Sequence, residues 1–201
     1  MASAWRIHPE RRTGAFAWLA GAVALGATCL IGTACGGPSP DRAARPRIEI
    51  QVEADLTPGG RIDRLVLPAL EGDGSFDYGR VADRPLVMNF FASWCRPCAE
   101  ELPEIERVYR ELGERIAFVG VSQSDARSSS IRLVHETGVT FPTAFDPEGR
   151  SYERTGARGM PTTVLVRPGG EVADVWVGPL DAPTLRELIA RELAPDAGYQ
   201  A

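Results

Sequence analysis

Cys95 and Cys98 stand three residues apart, with Arg96 and Pro97 between them. Two thiols at this spacing meet on one face of a helical turn, close enough to form and release a disulfide. Half a zinc site is a competing reading, but it needs two further Cys or His ligands. Outside the N-terminal segment the chain has no other Cys and one His, His135. An inert structural disulfide is the other plain alternative.

The flanking elements decide how reactive the pair can be. Leu86 to Phe91 is an apolar run, interrupted at Asn89 alone and set off by Pro85, the pattern of a buried strand. Ala92, Ser93 and Trp94 form a short link. From Cys95 onward Leu102, Ile105, Val108, Tyr109 and Leu112 recur at helical spacing, and Pro97 suits the first turn. Cys95 is therefore expected at a helix N-terminus, where free N–H groups and partial positive charge favour thiolate. Such cysteines titrate at about 3.5–7.5 instead of about 8.5. Cys95 can attack a partner disulfide, and Cys98, one turn further in, can resolve the mixed disulfide.

The rest of the chain supplies a sheet. Ile116 to Val121 is a second buried strand, and strand–helix–strand implies a parallel pair with a right-handed crossover. Ser122 to Ser130 is polar and reads as a loop, followed by a short Ser-capped helix through Ile131, Val134 and His135 that ends at Gly138. Nothing near His135 in sequence forms a catalytic pairing, so it reads as a helix residue and not a base. A short strand is expected near Phe145, a turn over Asp146–Gly149 and a turn of helix over Tyr152–Thr155. Thr162–Val166 and Val172–Val177 read as strands joined by a hairpin turn at Pro168–Gly170. Asp181 or Ala182 opens a last helix, with Leu185, Leu188, Ile189 and Leu193 as its apolar face and Pro195 as its end. Upstream, Ile48–Val52 alternates like an edge strand, and Gly59-Gly60 and Gly72–Gly74 mark turns.

Composition excludes several functions. The 201 residues carry net charge −5, which argues against nucleic acid as a partner. All 22 basic residues are Arg, so Schiff-base or P-loop lysine chemistry is excluded. Arg6, Arg11 and Arg12 precede an uncharged, mostly apolar stretch from Gly14 to Ala34, the pattern of an export signal or membrane anchor with its N-terminal side in the cytoplasm. Residues 1–35 are read as this signal or anchor, 36–47 as a flexible linker, 48–195 as one folded domain and 196–201 as a tail. Ile31–Gly36 resembles a bacterial lipoprotein box with Cys35 as the lipidated residue, although Gly32 stands where a large aliphatic is usual; Cys29 is a weaker candidate. A lipoprotein, an uncleaved anchor and a cleaved secreted protein all fit this segment, and all three place the cysteine pair outside the cytoplasm, where disulfides persist.

Phe90–Cys98 resembles the active site of the thioredoxin superfamily, and Ala99-Glu100-Glu101-Leu102-Pro103 narrows the resemblance to the membrane-tethered, extracytoplasmic TlpA/ResA-like thiol-disulfide oxidoreductases. Val119–Ser122, Phe145–Gly149 and Gly159–Thr163 add further matches, and the resemblance covers about Ile62 to Leu193. It implies an α/β fold: a thioredoxin-like central mixed sheet of four or five strands, helices on both faces, and an N-terminal hairpin around Leu67–Tyr78.

The resemblance also assigns roles. Cys95 and Cys98 are the redox pair, with no cofactor or metal beyond their disulfide. Pro161 is expected as a cis-proline facing the pair, and Trp94, Met160 and Pro161 as the substrate-binding residues. The backbone of Met160 would pair with an extended client segment. Arg96 and Pro97 are expected to tune the redox couple, Arg96 by placing positive charge beside the Cys95 thiolate. Where cytoplasmic thioredoxins have a buried Asp, this chain has Asn89, which cannot take a proton. The branch places an acidic residue at Glu101 instead, on the helical face of Cys98, where a buried carboxyl could exchange a proton with it. The expected partners are disulfide- or thiol-bearing client proteins and a membrane thiol transporter as electron source, with work in cytochrome c or metal-site maturation. Two other classes remain as alternatives: a peroxiredoxin-like peroxidase, although residues 86–94 lack the Pro and Thr/Ser that precede a peroxidatic Cys, and a Cu(I)-binding module.

Overall fold

The computed structural model describes residues 48–193. The signal or anchor, the linker, Cys29, Cys35, Pro195 and the tail lie outside the described residues. Among the described residues no helix is long and apolar enough to cross a membrane.

Five strands form the central sheet: β4 (Leu86–Phe91), β5 (Ala117–Gln123), β6 (Thr143–Asp146), β7 (Thr162–Val166) and β8 (Val172–Val177), in the order β6-β5-β4-β7-β8. β4 pairs parallel with β5 and antiparallel with β7, so the sheet is mixed. Every residue of β4 is buried, as expected of a central strand covered on both faces. Its side chains alternate. Val87 and Phe91 face one core with Leu102, Ile105, Val108, Leu165 and Leu185. Leu86, Met88 and Phe90 face the other with Leu65, Leu67, Val119 and Val164.

On the first face lie α1 (Arg96–Leu112), α2 (Arg127–Thr137) and α4 (Ala182–Glu192). The apolar positions read from the sequence, Leu102, Ile105, Val108 and Leu112, are the buried stripe of α1. Asp181 caps α4 by accepting from the Thr184 N–H at 2.9 Å. On the second face α3 (Arg150–Glu153) brings Tyr152 edge-on to Phe90, 5.6 Å between centroids.

The N-terminal hairpin is larger than expected. Three strands, β1 (Gln51–Ala54), β2 (Ile62–Pro68) and β3 (Ser75–Asp77), form a second antiparallel sheet, with a 3₁₀ turn over Tyr78–Arg80 after it. The strand expected at Ile48–Val52 lies instead at Gln51–Ala54, paired from Gln51↔Val66 to Ala54↔Ile62. β2 crosses the whole second face. It bridges β8 at one end through Arg61↔Glu171 and β6 at the other through Ala69↔Ala144. Four strand spacings of about 4.8 Å are matched by a strand of this length at about 3.3 Å per residue. Gly170, at φ +100, permits the first junction, because a Cβ there would lie 2.7 Å from the Ile62 carbonyl.

The stretch read as a polar loop is also corrected. β5 runs on through Ser122 and Gln123, and α2 already begins at Arg127. Its N-cap is Ala126, with no side-chain cap, so the expected serine cap is absent. These serines are occupied inside the fold: Ser122 and Ser130 hydroxyls lie 2.6 Å apart in a buried contact.

Candidate active site

Cys95 is the N-cap of α1, with extended backbone, and its sulfur accepts the Cys98 N–H at 3.3 Å. Pro97 follows within the first turn and offers no N–H, so the Cys98 amide is the donor that the sulfur receives. Cys95 and Cys98 are joined in a disulfide, S–S 2.07 Å. Cys98 is fully buried and Cys95 is 5% exposed, so a reacting group can reach only the Cys95 sulfur.

Met160–Pro161 is a cis peptide bond. Trp94, Cys95, Pro97, Gln123, Tyr152 and Met160 line one open cleft. Pro161 itself is buried, and Met160 is half-buried on the cleft wall. The exposed large apolar side chains among the described residues are Trp94, Trp176 and Val177. Trp94 lies on this cleft, Val177 lies close against Gly159 of the same cleft, and Trp176 lines a separate groove beside Glu101. Exposed large apolar side chains beside a reactive cleft suit contact with another molecule.

Arg96 lines the same cleft beside Cys95. Its Nε reaches Glu100 at 3.0 Å, and its side chain is 89% exposed. The positive charge is spent on a solvated partner one turn along the helix, where screening is strong.

Glu101 is buried, and Oε1 accepts from Asn89 Nδ2 at 2.9 Å and from Thr163 Oγ1 at 3.4 Å. Asn89 and Thr163 sit directly opposite each other on β4 and β7, so the sheet register itself builds this floor. Oε2 has no hydrogen-bond partner among the described residues; the Leu180 amide favours the charge without meeting hydrogen-bond geometry. Burial pushes the carboxyl up to about 8, against the opposing pull of the Leu180 N–H, Thr163 and Asn89. Near neutral pH the group is therefore largely protonated, three residues from Cys98 on the same helix.

Sequence reasoning missed Asp125. Its carboxylate accepts from the Ser93 N–H (2.6 Å), the Ser93 hydroxyl (2.9 Å), the Ser130 hydroxyl (2.7 Å) and the Ala126 N–H (2.7 Å). Burial would raise its pKa, but these donors outweigh it and hold the carboxyl below its usual value. The available signal was position alone: Asp125 follows the end of β5 by two residues, and β5 is parallel to β4, so it falls at the same end of the sheet as the link before Cys95. His135 lies away from the pair, with Nε2 2.7 Å from Glu71 Oε1.

The chain belongs to the AhpC/TSA family, whose profile matches residues 61–175. It is similar to the thiol-disulfide oxidoreductase ResA of Halalkalibacterium halodurans, 27% identical over 132 residues, which is 65% of this chain and 74% of that protein. It is also similar to the thiol:disulfide interchange protein DsbE of Allochromatium vinosum, 31% identical over 104 residues, covering 51% and 56% of the two chains. Among solved structures, MTB DsbF in its mixed oxidized and reduced forms matches with TM-score 0.58 and 26% identity, over 63% of this chain and 93% of that one. Fold, cysteine pair and relatives define a thiol-disulfide oxidoreductase of the thioredoxin superfamily.

Proposed function

We propose that this chain exchanges disulfides with client proteins outside the cytoplasm, and that it acts as their reductant in cytochrome c or metal-site maturation. In the reduced protein the Cys95 thiolate attacks one sulfur of a client disulfide. A Cys95–client bond forms, and the other client sulfur leaves as a thiolate that takes a proton from solvent. Cys98 then gives its proton to Glu101 in the fraction of molecules where that carboxyl is ionised, and attacks the Cys95 sulfur. The second client thiolate is released and protonated, and the Cys95–Cys98 disulfide closes. The client gains two electrons from the pair and two protons from solvent, and the Cys98 proton stays on Glu101. A neutral Glu101 beside a closed disulfide is the state this sequence leaves behind.

The observation that carries the reading is the cysteine pair at the N-terminus of α1 with a buried carboxyl one turn further on. The exposed apolar side chains of Trp94, Val177 and Trp176 support protein clients over small disulfides. Met160 lines the cleft wall against which an extended client segment would lie, with buried Pro161 setting its backbone through the cis bond. The positive, then apolar N-terminal segment supports export, with residues 1–35 as signal or anchor, Cys35 as a lipid attachment point and a membrane thiol transporter as the electron source.

The test of direction is the redox state of Cys95 and Cys98 in living cells, fixed by acid quench and thiol alkylation. A mostly reduced pair is expected. A pair that stays oxidised under every growth condition would overturn the reductant role and favour disulfide formation.

A further inference from the structure

We propose that the segment Gln123 to Asp125, which ends β5 and leads into α2, is a positioning platform that sets both walls of the cleft beside Cys95 and so selects extended protein segments over small disulfides. The inference rests on the exchange reading above and adds to it the residues that shape client recognition.

Three consecutive residues reach three parts of the cleft. Asp125 binds both the N–H and the hydroxyl of Ser93, in the link between β4 and Cys95. Ser124 adopts φ +49, a positive value no other non-glycine takes among the described residues. Its carbonyl accepts the Trp94 indole N–H at 3.2 Å. Gln123, buried at the end of the strand, donates its side-chain amide to the Met160 sulfur at 3.4 Å. Trp94 and Met160 thus take their positions from adjacent residues of this one segment.

Asp125 is a positioning residue, not a catalytic one. Its two oxygens already accept four hydrogen bonds from Ser93, Ser130 and Ala126, so neither is left to bind a client. The same carboxylate anchors the start of α2, which is itself tied to the N-terminal sheet by Arg127 donating to the Ala69 and Leu70 carbonyls. The platform is therefore braced from behind. A small disulfide needs only the Cys95 sulfur. A polypeptide must pass between Trp94, 62% exposed, and Met160 to bring its disulfide into line. Misplacing one wall by about 1 Å can cost a large factor in rate for the second substrate and little for the first.

The test compares two oxidants of the reduced full-length protein: insulin, a polypeptide disulfide, and 5,5′-dithiobis(2-nitrobenzoate), a small one. Asp125→Asn keeps the shape and removes one accepting oxygen. The expected result is a fall of about tenfold in the ratio of the insulin rate to the small-disulfide rate. Unfolding would expose both thiols to the small disulfide and lower the ratio by itself, so the ratio is read on a variant whose circular dichroism and urea midpoint show it folded; there an unchanged ratio overturns the proposal. Gln123→Ala, which releases only Met160, is read by the same ratio and serves if Asp125→Asn does not fold. A wild-type chain that reacts with neither oxidant would overturn the exchange reading itself, and the platform with it.

Discussion

Replacing Glu101 with Gln gives the sharpest handle on the buried carboxyl. In the oxidised fold its pKa is raised from 4.5 to about 8, chiefly by burial. A group whose folded pKa lies above its unfolded value stabilises the fold fully below the unfolded pKa. That stability is lost as pH rises towards the folded pKa, because the unfolded chain has already released the proton. Between about pH 4.5 and 8 the loss is about 1.4 kcal/mol per pH unit, reaching about 5 kcal/mol across the window. For a domain of this size that corresponds to about 3–5 °C of Tm per unit. Gln carries no proton equilibrium, and its amide oxygen can keep the bond from Asn89. Urea or thermal unfolding of the oxidised protein from pH 5 to 9 should therefore show wild type and Glu101→Gln close together at pH 5. They should diverge steadily, with the variant the more stable at pH 9. Reduced protein should show the catalytic side of the same group: slower resolution of the mixed disulfide in the variant, with the pH dependence assigned to Glu101 gone. Parallel stability curves from pH 5 to 9 would refute the burial argument, and unchanged exchange rates across pH would refute the proton transfer.

Glu106 behaves in the opposite sense. Burial would raise its pKa, but the Thr140 hydroxyl and N–H and Arg110 hold it below the ordinary value, so its stabilisation is present above the unfolded pKa and lost as pH falls through the folded one. Glu106→Gln should cost about 1–3 kcal/mol at pH 7 by urea unfolding, with the gap closing in acid. Gly120→Ala should destabilise by about 1–3 kcal/mol, measured the same way, because a Cβ there would meet the Phe141 ring at 3.0 Å and the Phe91 ring at 3.1 Å. Arg96→Glu should lower the reduction potential by about 20 mV or less against a glutathione buffer, since the charge is solvated and paired with Glu100. A rise would contradict the assigned sign.

Much of the frame was legible because it is written in apolar runs. β4 and β7 follow from apolar runs, α1 and α4 from apolar residues at helical spacing, and the cysteine pair stands at the junction of β4 and α1. The residues that misled are polar ones buried with partners. Ser122, Gln123 and Ser130 look like loop by composition, yet the Ser122 and Ser130 hydroxyls bond each other, Ser130 donates to Asp125, and Gln123 meets Met160. Asp125 carries no local pattern, since its donors lie 32 residues away at Ser93 as well as nearby. The N-terminal sheet was displaced for a related reason. Its strands pack on one face only, and β1 is half-buried along its length, so alternation marks a strand without fixing its ends. Arg96 shows the limit of reading charge from adjacency: a neighbour in sequence, it is turned towards Glu100.

The central claim is that Cys95 carries the client and Cys98 releases it. Full-length Cys98→Ser expressed in cells, quenched with acid and alkylated, should accumulate reducible adducts with other proteins. Cys95→Ser and the double variant should show none beyond any that Cys29 and Cys35 supply equally to all three. Adducts on Cys95→Ser but not on Cys98→Ser would reverse the assignment, and an identical pattern for all three would show that this pair does not exchange disulfides with proteins at all.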